Sequence, residues 1–125
     1  MKLIYIAGPF RASNSWEVER NIRRAEALAL KVWLAGAACI CPHTNTRFFQ
    51  GAGPDGVWLE GDLKIVRRCD AILTTSDWMR SIGARSEVVL AQELELPVFH
   101  ACTVEGEEQL PAAFLLYLER GTGAR

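Results

Sequence analysis

Runs of consecutive apolar residues alternate along this chain with stretches where apolar residues recur every three or four positions. Leu3-Ile4-Tyr5-Ile6-Ala7 is apolar throughout and predicts a buried strand over Lys2 to Ala7. After the loop Gly8 to Ser15, Trp16 to Leu34 reads as a long helix. Ala25, Leu28, Ala29, Val32 and Trp33 share its inner face, and Gly36 ends it. Ala37 to Cys41 is a second strand stopped by Pro42. Thr44 to Val57 is polar, glycine-rich and predicted irregular, a length of loop that is more often functional than incidental. A helix over Trp58 to Cys69, a strand over Asp70 to Thr74 and a loop over Thr75 to Ile82 come next. Ser86 to Leu96 then reads as a helix and Pro97 to His100 as a strand. Glu107 to Glu119 is the final helix, with Leu110, Phe114, Leu115 and Leu118 inward. Apolar strands alternating with helices predict an α/β fold: a single-domain Rossmann-like parallel sheet of four to five strands with helices on both faces. The domain is expected to span residues 1–120, followed by a flexible tail over 121–125.

Two acids break the pattern. Asp62 falls in the middle of the stripe Trp58, Leu59, Ile65, Val66 and Cys69, and Glu87 sits over Leu90, Ala91 and Leu94 with Ala84 three residues before it. Residues at these offsets share one helix face, so each carboxylate is predicted to point inward. An unpaired charge is expensive there, and two such acids in one small domain suggest acid/base or nucleophilic chemistry. The alternative for each is a structural ion pair or a cap, and Gly61 weakens the first of the two helices by about 1 kcal/mol relative to Ala.

Composition narrows the classes. With 125 residues, 50% of them hydrophobic and 23% charged, the chain suits one globular domain with a real core. A net charge of −1 supplies no basic field to recruit a nucleic acid polymer. Arg20, Arg23 and Arg24 cluster beside Glu17, Glu19 and Glu26, which reads as a solvated helix face. No apolar run is long enough to cross a bilayer, and Met1-Lys2 leads into a strand without a signal-peptide pattern, so a cytoplasmic, membrane-free protein is expected. Cys39, Cys41 and His43 would share a strand face, but their spacing is not that of a zinc site. Buried cysteines acting as small hydrophobes are expected instead, with no metal and no cofactor.

In parallel sheets of this kind ligands bind beyond the carboxyl ends of the strands. Three segments lie there: Gly8 to Asn14, His43 onward, and Thr75 to Gly83. Gly8 lets backbone approach a ligand, Arg11 suits a phosphate or carboxylate, and Ser13, Asn14 and Ser15 offer capping. The loop is neither a P-loop nor a dinucleotide fingerprint. Ser81 or Gly83 would open the third helix and place Glu87 within its first turns, where the helix dipole is expected to help keep the carboxylate ionised. An ionised, partly desolvated carboxylate is what attack on a sugar carbon requires.

The order of motifs resembles the nucleoside 2-deoxyribosyltransferase superfamily. They are Tyr5-Ile6-Ala7-Gly8-Pro9-Phe10-Arg11, Pro42-His43, Asp62 followed by Cys69-Asp70-Ala71, and Ser81-x-Gly83-x-x-x-Glu87 with Ala91. Among its members the chain is similar to the 2′-deoxynucleoside 5′-phosphate N-hydrolases. It is more similar still to an uncharacterised branch of small deoxyribosyltransferase-like domains, through Ala7-Gly8-Pro9 and Trp78-x-x-Ser81-x-Gly83-Ala84-x-x-Glu87. The resemblance covers residues 3 to about 100. It implies Glu87 as the nucleophile that forms a glycosyl-enzyme ester, Asp62 near sugar and base, Tyr5 as a positioning tyrosine, and Gly8, Pro9, Phe10 and Arg11 as the loop around the sugar. Ser81 stands where transferases on free nucleosides carry an acid and the monophosphate hydrolases a serine. With Arg11, it tilts the expected substrate towards a nucleoside 5′-monophosphate. Pro9 departs from the hydrolases' serine.

The expected activity is cleavage or transfer of the N-glycosidic bond of a small-molecule nucleoside or nucleotide. Tyr5, His43, Trp78 and Phe10 are candidates for contacting the base, and Arg11, Ser81 and Gly83 for the phosphate end. The alternative for His43, somewhat less favoured than the pocket role, is a strand-end cap; for Trp78 and Trp58 it is a core or interface position. The resemblance further implies a homo-oligomer. Two other readings remain at this stage: a non-catalytic nucleotide- or nucleoside-sensing module, and a protein-interaction domain with an incidental acidic cleft.

Overall fold

The structure, a computed structural model, describes residues 1–123. Strands β1 (Leu3–Ala7), β2 (Ala38–Ile40), β3 (Ala71–Thr74) and β4 (Val98–His100) form a 4-stranded sheet in the order β2-β1-β3-β4. Every neighbouring pair is parallel, and Tyr5 of β1 lies opposite Ile40 on one side and Ile72 on the other. Helices α1 (Ser15–Leu34) and α5 (Ala112–Gly123) cover one face. There Ile22, Ala25, Leu28 and Val32 of α1 and Phe114 and Leu118 of α5 pack on Ile4, Ile6 and Leu73. Helices α3 (Asp55–Val66) and α4 (Ile82–Glu93) cover the other, where Val66, Ala84, Val88 and Ala91 pack on Tyr5, Ala7 and Ile72. Strands buried on both faces explain the unbroken apolar runs in the sequence. This is the Rossmann-like α/β sheet with helices on both faces that the pattern predicts. No helix among the described residues is long and apolar enough to cross a membrane.

Helix α1 ends as Gly36 suggests. With φ at +99°, Gly36 donates to the Trp33 carbonyl at 3.1 Å and Ala37 to Val32 at 3.3 Å, which closes the last turn with two of its free carbonyls satisfied. Several expected boundaries move. Trp33 is 54% exposed, because the inner stripe of α1 is narrow and Ala29 and Val32 already fill it. Leu59, Leu94 and Leu115, read as inward, are 46%, 38% and 46% exposed. The Thr44 to Val57 stretch is shorter as a loop than expected: a one-turn helix α2 (Pro42–Asn45) takes in its start and α3 begins at Asp55. Helix α4 begins at Ile82 rather than near Ser86.

The largest correction lies at residues 102–111. In place of a helix from Glu107, an antiparallel hairpin pairs β5 (Cys102–Val104) with β6 (Glu107–Gln109), and α5 starts at Ala112. Its two-residue turn, Glu105-Gly106, has φ of 52° and 81°. Two positive φ values match the twist of paired strands and favour this tight hairpin. Helix α5 continues through Gly123, beyond the Gly121 at which a tail was expected, and residues 124–125 lie outside the described residues.

The topology sets the site. The chain passes from β1 to β2 on one side of the sheet and crosses back to β3 on the other, so the loops leaving β1 and β3 diverge and open a crevice between them.

Candidate active site

Tyr5 is at the centre of the sheet with its ring turned towards α4. It is fully buried, and its hydroxyl donates a hydrogen bond to Oε2 of Glu87, 82 residues away in sequence. Glu87 is 8% exposed, held in the second turn of α4 among Ala84, Val88 and Ala91. Asp62 is half-buried on the neighbouring helix α3, close enough for its charge to act on both Glu87 and Tyr5. The structure thus brings the two acids and the tyrosine into one cluster beneath the crevice.

Electrostatics there run against one expectation. Burial pushes the Glu87 carboxyl from its ordinary value of 4.5 up to about 8; the Tyr5 hydrogen bond opposes this, and the Asp62 charge adds to it. The start of α4 does not keep Glu87 ionised as expected. Glu87 lies past the first turn, where the free amides end, and Ser81 already satisfies one of them. Burial alone raises Asp62 from 3.8 to about 6. Tyr5 is pushed up by burial first and then by the two carboxylates.

The loop after β1 is prebuilt. Thr75 donates from its backbone to the Ala7 carbonyl at 2.9 Å, His43 Nε2 to Pro9 at 2.9 Å, and Asn21 Nδ2 to Phe10 at 3.2 Å. A Cβ on Gly8 would stand 2.6 Å from Thr75 Oγ1, so only glycine lets β1 and β3 separate this narrowly at the crevice. Of the two readings of His43, the geometry supports the strand-end brace. It is 3% exposed, burial lowers its basicity, and an Nε2–H donated to Pro9 leaves Nδ1 facing Cys41 Sγ at 3.9 Å. Its ring lies 6.0 Å from that of Phe10.

The other predicted residues spread along the crevice. Arg11 is exposed and forms an ion pair with Asp55 at the start of α3, tying the β1 loop to that helix. Ser81 caps α4, its hydroxyl oxygen accepting from Ala84 N at 3.1 Å. Nothing steric requires glycine at position 83, where a Cβ would make only ordinary contacts at 3.8 Å. Trp78, in a single 3-10 turn (Trp78–Arg80), stacks flat on His100 at 4.8 Å.

Sequence reading missed the polar support behind the third loop. Asp77 is held by Arg24, Arg80 and the Thr75 hydroxyl; burial pushes its carboxyl up, but these partners outweigh that and hold it below the usual range. Glu108, 6% exposed, accepts from the Ser76 backbone at 3.0 Å and the Ser76 hydroxyl at 2.8 Å, and so pins the hairpin to the end of β3. Asp77 was legible only as a polar residue at a strand end. Glu108 gave no signal, because its role depends on the hairpin.

The arrangement has a buried carboxyl oriented by a tyrosine, a second carboxyl beside it, and a rigid glycine loop above. Such a set suits nucleophilic or acid/base work on a small polar ligand. No curated protein matches the chain. A family model described as a domain of unknown function, DUF4406, matches residues 2–100, a span that takes in the whole parallel sheet, Tyr5, Asp62 and Glu87; the chain belongs to that family.

Proposed function

We propose that residues 1–120 act as one deoxyribosyltransferase-like domain that cleaves or transfers the N-glycosidic bond of a nucleoside or nucleoside 5′-monophosphate. The reading rests on one observation above all: the buried hydrogen bond from Tyr5 to Glu87, with Asp62 alongside. Tyr5 engages Oε2, which leaves Oε1 as the oxygen for attack. Glu87 in its ionised form attacks the anomeric carbon, and a carbon–oxygen bond forms as the carbon–nitrogen bond breaks. The bonding electrons leave with the base, which takes a proton from the protonated form of Asp62. Water or a second base then attacks the same carbon, gives its proton back to the Asp62 carboxylate, and releases Glu87 as carboxylate.

One observation favours the sensing module instead. With its carboxyl held near 8, most Glu87 is protonated at neutral pH, and a protonated carboxyl does not attack carbon. The deciding experiment incubates the protein with ribo- and deoxynucleosides and their 5′-monophosphates and follows free base by chromatography. Release from at least one, abolished in Glu87→Ala, is the expected result. Tight binding without release in wild type would establish the sensing module, and an added second base separates transfer from hydrolysis.

A further inference from the structure

A buried side-chain donor without a partner is rare, because it forfeits the hydrogen bond it made to water in the unfolded chain. Two such atoms occur among the described residues, Arg47 Nε and Trp58 Nε1. Arg47 has other donors and pairs through one of them with Glu19 of α1, so its guanidinium is engaged. Trp58 has a single donor and no acceptor, and that donor is buried and unmatched.

Its place in the fold indicates what the donor is for. Trp58, Asp62 and Val66 stand four residues apart on α3 and so line one face of that helix. Val66 is fully buried beneath, and Asp62 is close enough to act on Glu87 and Tyr5. Helix α3 carries the chain from the carboxyl end of β2 back to the amino end of β3. The line of three therefore climbs from the core, through Asp62, to Trp58 at the mouth of the crevice. The indole is held there by Phe49, with ring centroids 5.4 Å apart, and by close packing of Gly53, where a Cβ would lie 3.5 Å from Trp58 Cζ2. The residues first read as polar contacts to the base are committed elsewhere. Tyr5 donates to Glu87, His43 Nε2 to Pro9, and Trp78 lies flat on His100.

We propose that Trp58 is a base-binding residue whose indole N–H donates to an acceptor atom of the base, a ring nitrogen or a carbonyl oxygen. This rests on the site reading above, in its catalytic or its sensing form. In the catalytic form the bond has a further use. The electron pair of the breaking carbon–nitrogen bond passes to the base, so a donor to an atom sharing that charge binds more strongly as the base departs.

Indole N–H resonances of the 15N-labelled protein test this whether or not base is released. The chain has four tryptophans, and the Trp58 signal is the one lost in Trp58→Phe, which keeps an aromatic ring without the donor. The probes are 2′-deoxyinosine, 2′-deoxyadenosine, 2′-deoxycytidine and thymidine with their 5′-monophosphates, each at saturation. The Trp58 resonance is expected to move downfield with those that bind. Trp58→Phe should weaken their binding about three- to tenfold, with its circular dichroism melt unchanged. Analogues of the best ligand, with one ring nitrogen replaced by CH or one carbonyl by hydrogen, need only the wild-type protein. The analogue that abolishes the shift identifies the accepting atom. A ligand that binds without moving the Trp58 resonance, or binds Trp58→Phe as tightly as wild type, overturns the role of Trp58 and leaves the site reading standing. Binding of none of the probes overturns both.

Discussion

Glu87 carries opposite demands on one carboxyl. The fold buries it, which favours the protonated form, while the proposed attack on carbon needs the ionised form. Asp62, at about 6, is the stronger acid of the two, although the proposed roles call for Asp62 protonated and Glu87 ionised. The form carrying both groups in the required state is therefore the minor one of the pair. The expected kcat/KM profile on a free nucleoside is a bell with limbs near these two values, and Asp62→Asn removes one limb. A nucleoside is the substrate of choice, because a phosphate titrates in the same range. A profile flat from pH 5 to 9 contradicts the assigned roles.

The same carboxyl links folding to pH. Its proton affinity is higher in the fold than in the unfolded chain, so its contribution is fully present below pH 4.5 and is lost as pH rises through about 8. At about 1.4 kcal/mol for each tenfold change in proton affinity, about 5 kcal/mol is the upper bound on that loss. Glu87→Gln keeps the acceptor for Tyr5 and removes the titration. Its melting temperature should match wild type near pH 5 and exceed it increasingly towards pH 9, as differential scanning calorimetry will show.

At the scale of elements, the ends of strands and helices do the positioning. Ser81 both caps α4 and stands at the phosphate end of the proposed site, and two substitutions separate these roles. Ser81→Ala removes the cap and is expected to cost about 1 kcal/mol in urea unfolding. Ser81→Asp restores the cap, since aspartate at a helix start also suits the dipole. It places an acid in the crevice, so KM should rise for monophosphates and not for nucleosides. His43 acts at the same scale, bracing Pro9 so that the Gly8 to Arg11 loop has one shape. The hairpin acts likewise: Glu108 reaches the Ser76 backbone and hydroxyl, and Thr103 donates to the Ser76 hydroxyl at 2.8 Å. Elements with strong local signals were legible. The apolar run of β1, the glycine end of α1 and the stripe of α4 each follow from neighbours within a few residues. The hairpin was not, because Glu-Gly is a weaker turn signal than Asn-Gly and the apolar spacing after Glu107 mimics a helix.

Across the whole molecule, the parallel sheet brings together segments far apart in sequence, and one ion pair ties the β1 loop to the start of α3. Arg11 was read as a phosphate ligand, and the fold gives it Asp55 as a carboxylate partner. Any anionic ligand there competes with Asp55 for the guanidinium. Exposed pairs contribute about 0.2–1 kcal/mol, so Asp55→Asn should lower KM for a nucleoside 5′-monophosphate by roughly 1.5- to 5-fold. Unphosphorylated nucleosides should show no change in steady-state assays, and equal effects on both would remove Arg11 from the phosphate end.

Sequence by itself determined the alternation of strand and helix, the two-faced sheet and the inward direction of Glu87. Each of these is set by which neighbouring side chains avoid water, and that pattern is written locally. Only the tertiary structure decided that Tyr5 is the partner of Glu87, that His43 is a brace, that Arg11 is already paired, and that Glu87 sits near 8. These outcomes depend on the total desolvation and charge around each group. They sum over residues from β1, α3 and α4 that become neighbours only when the sheet closes.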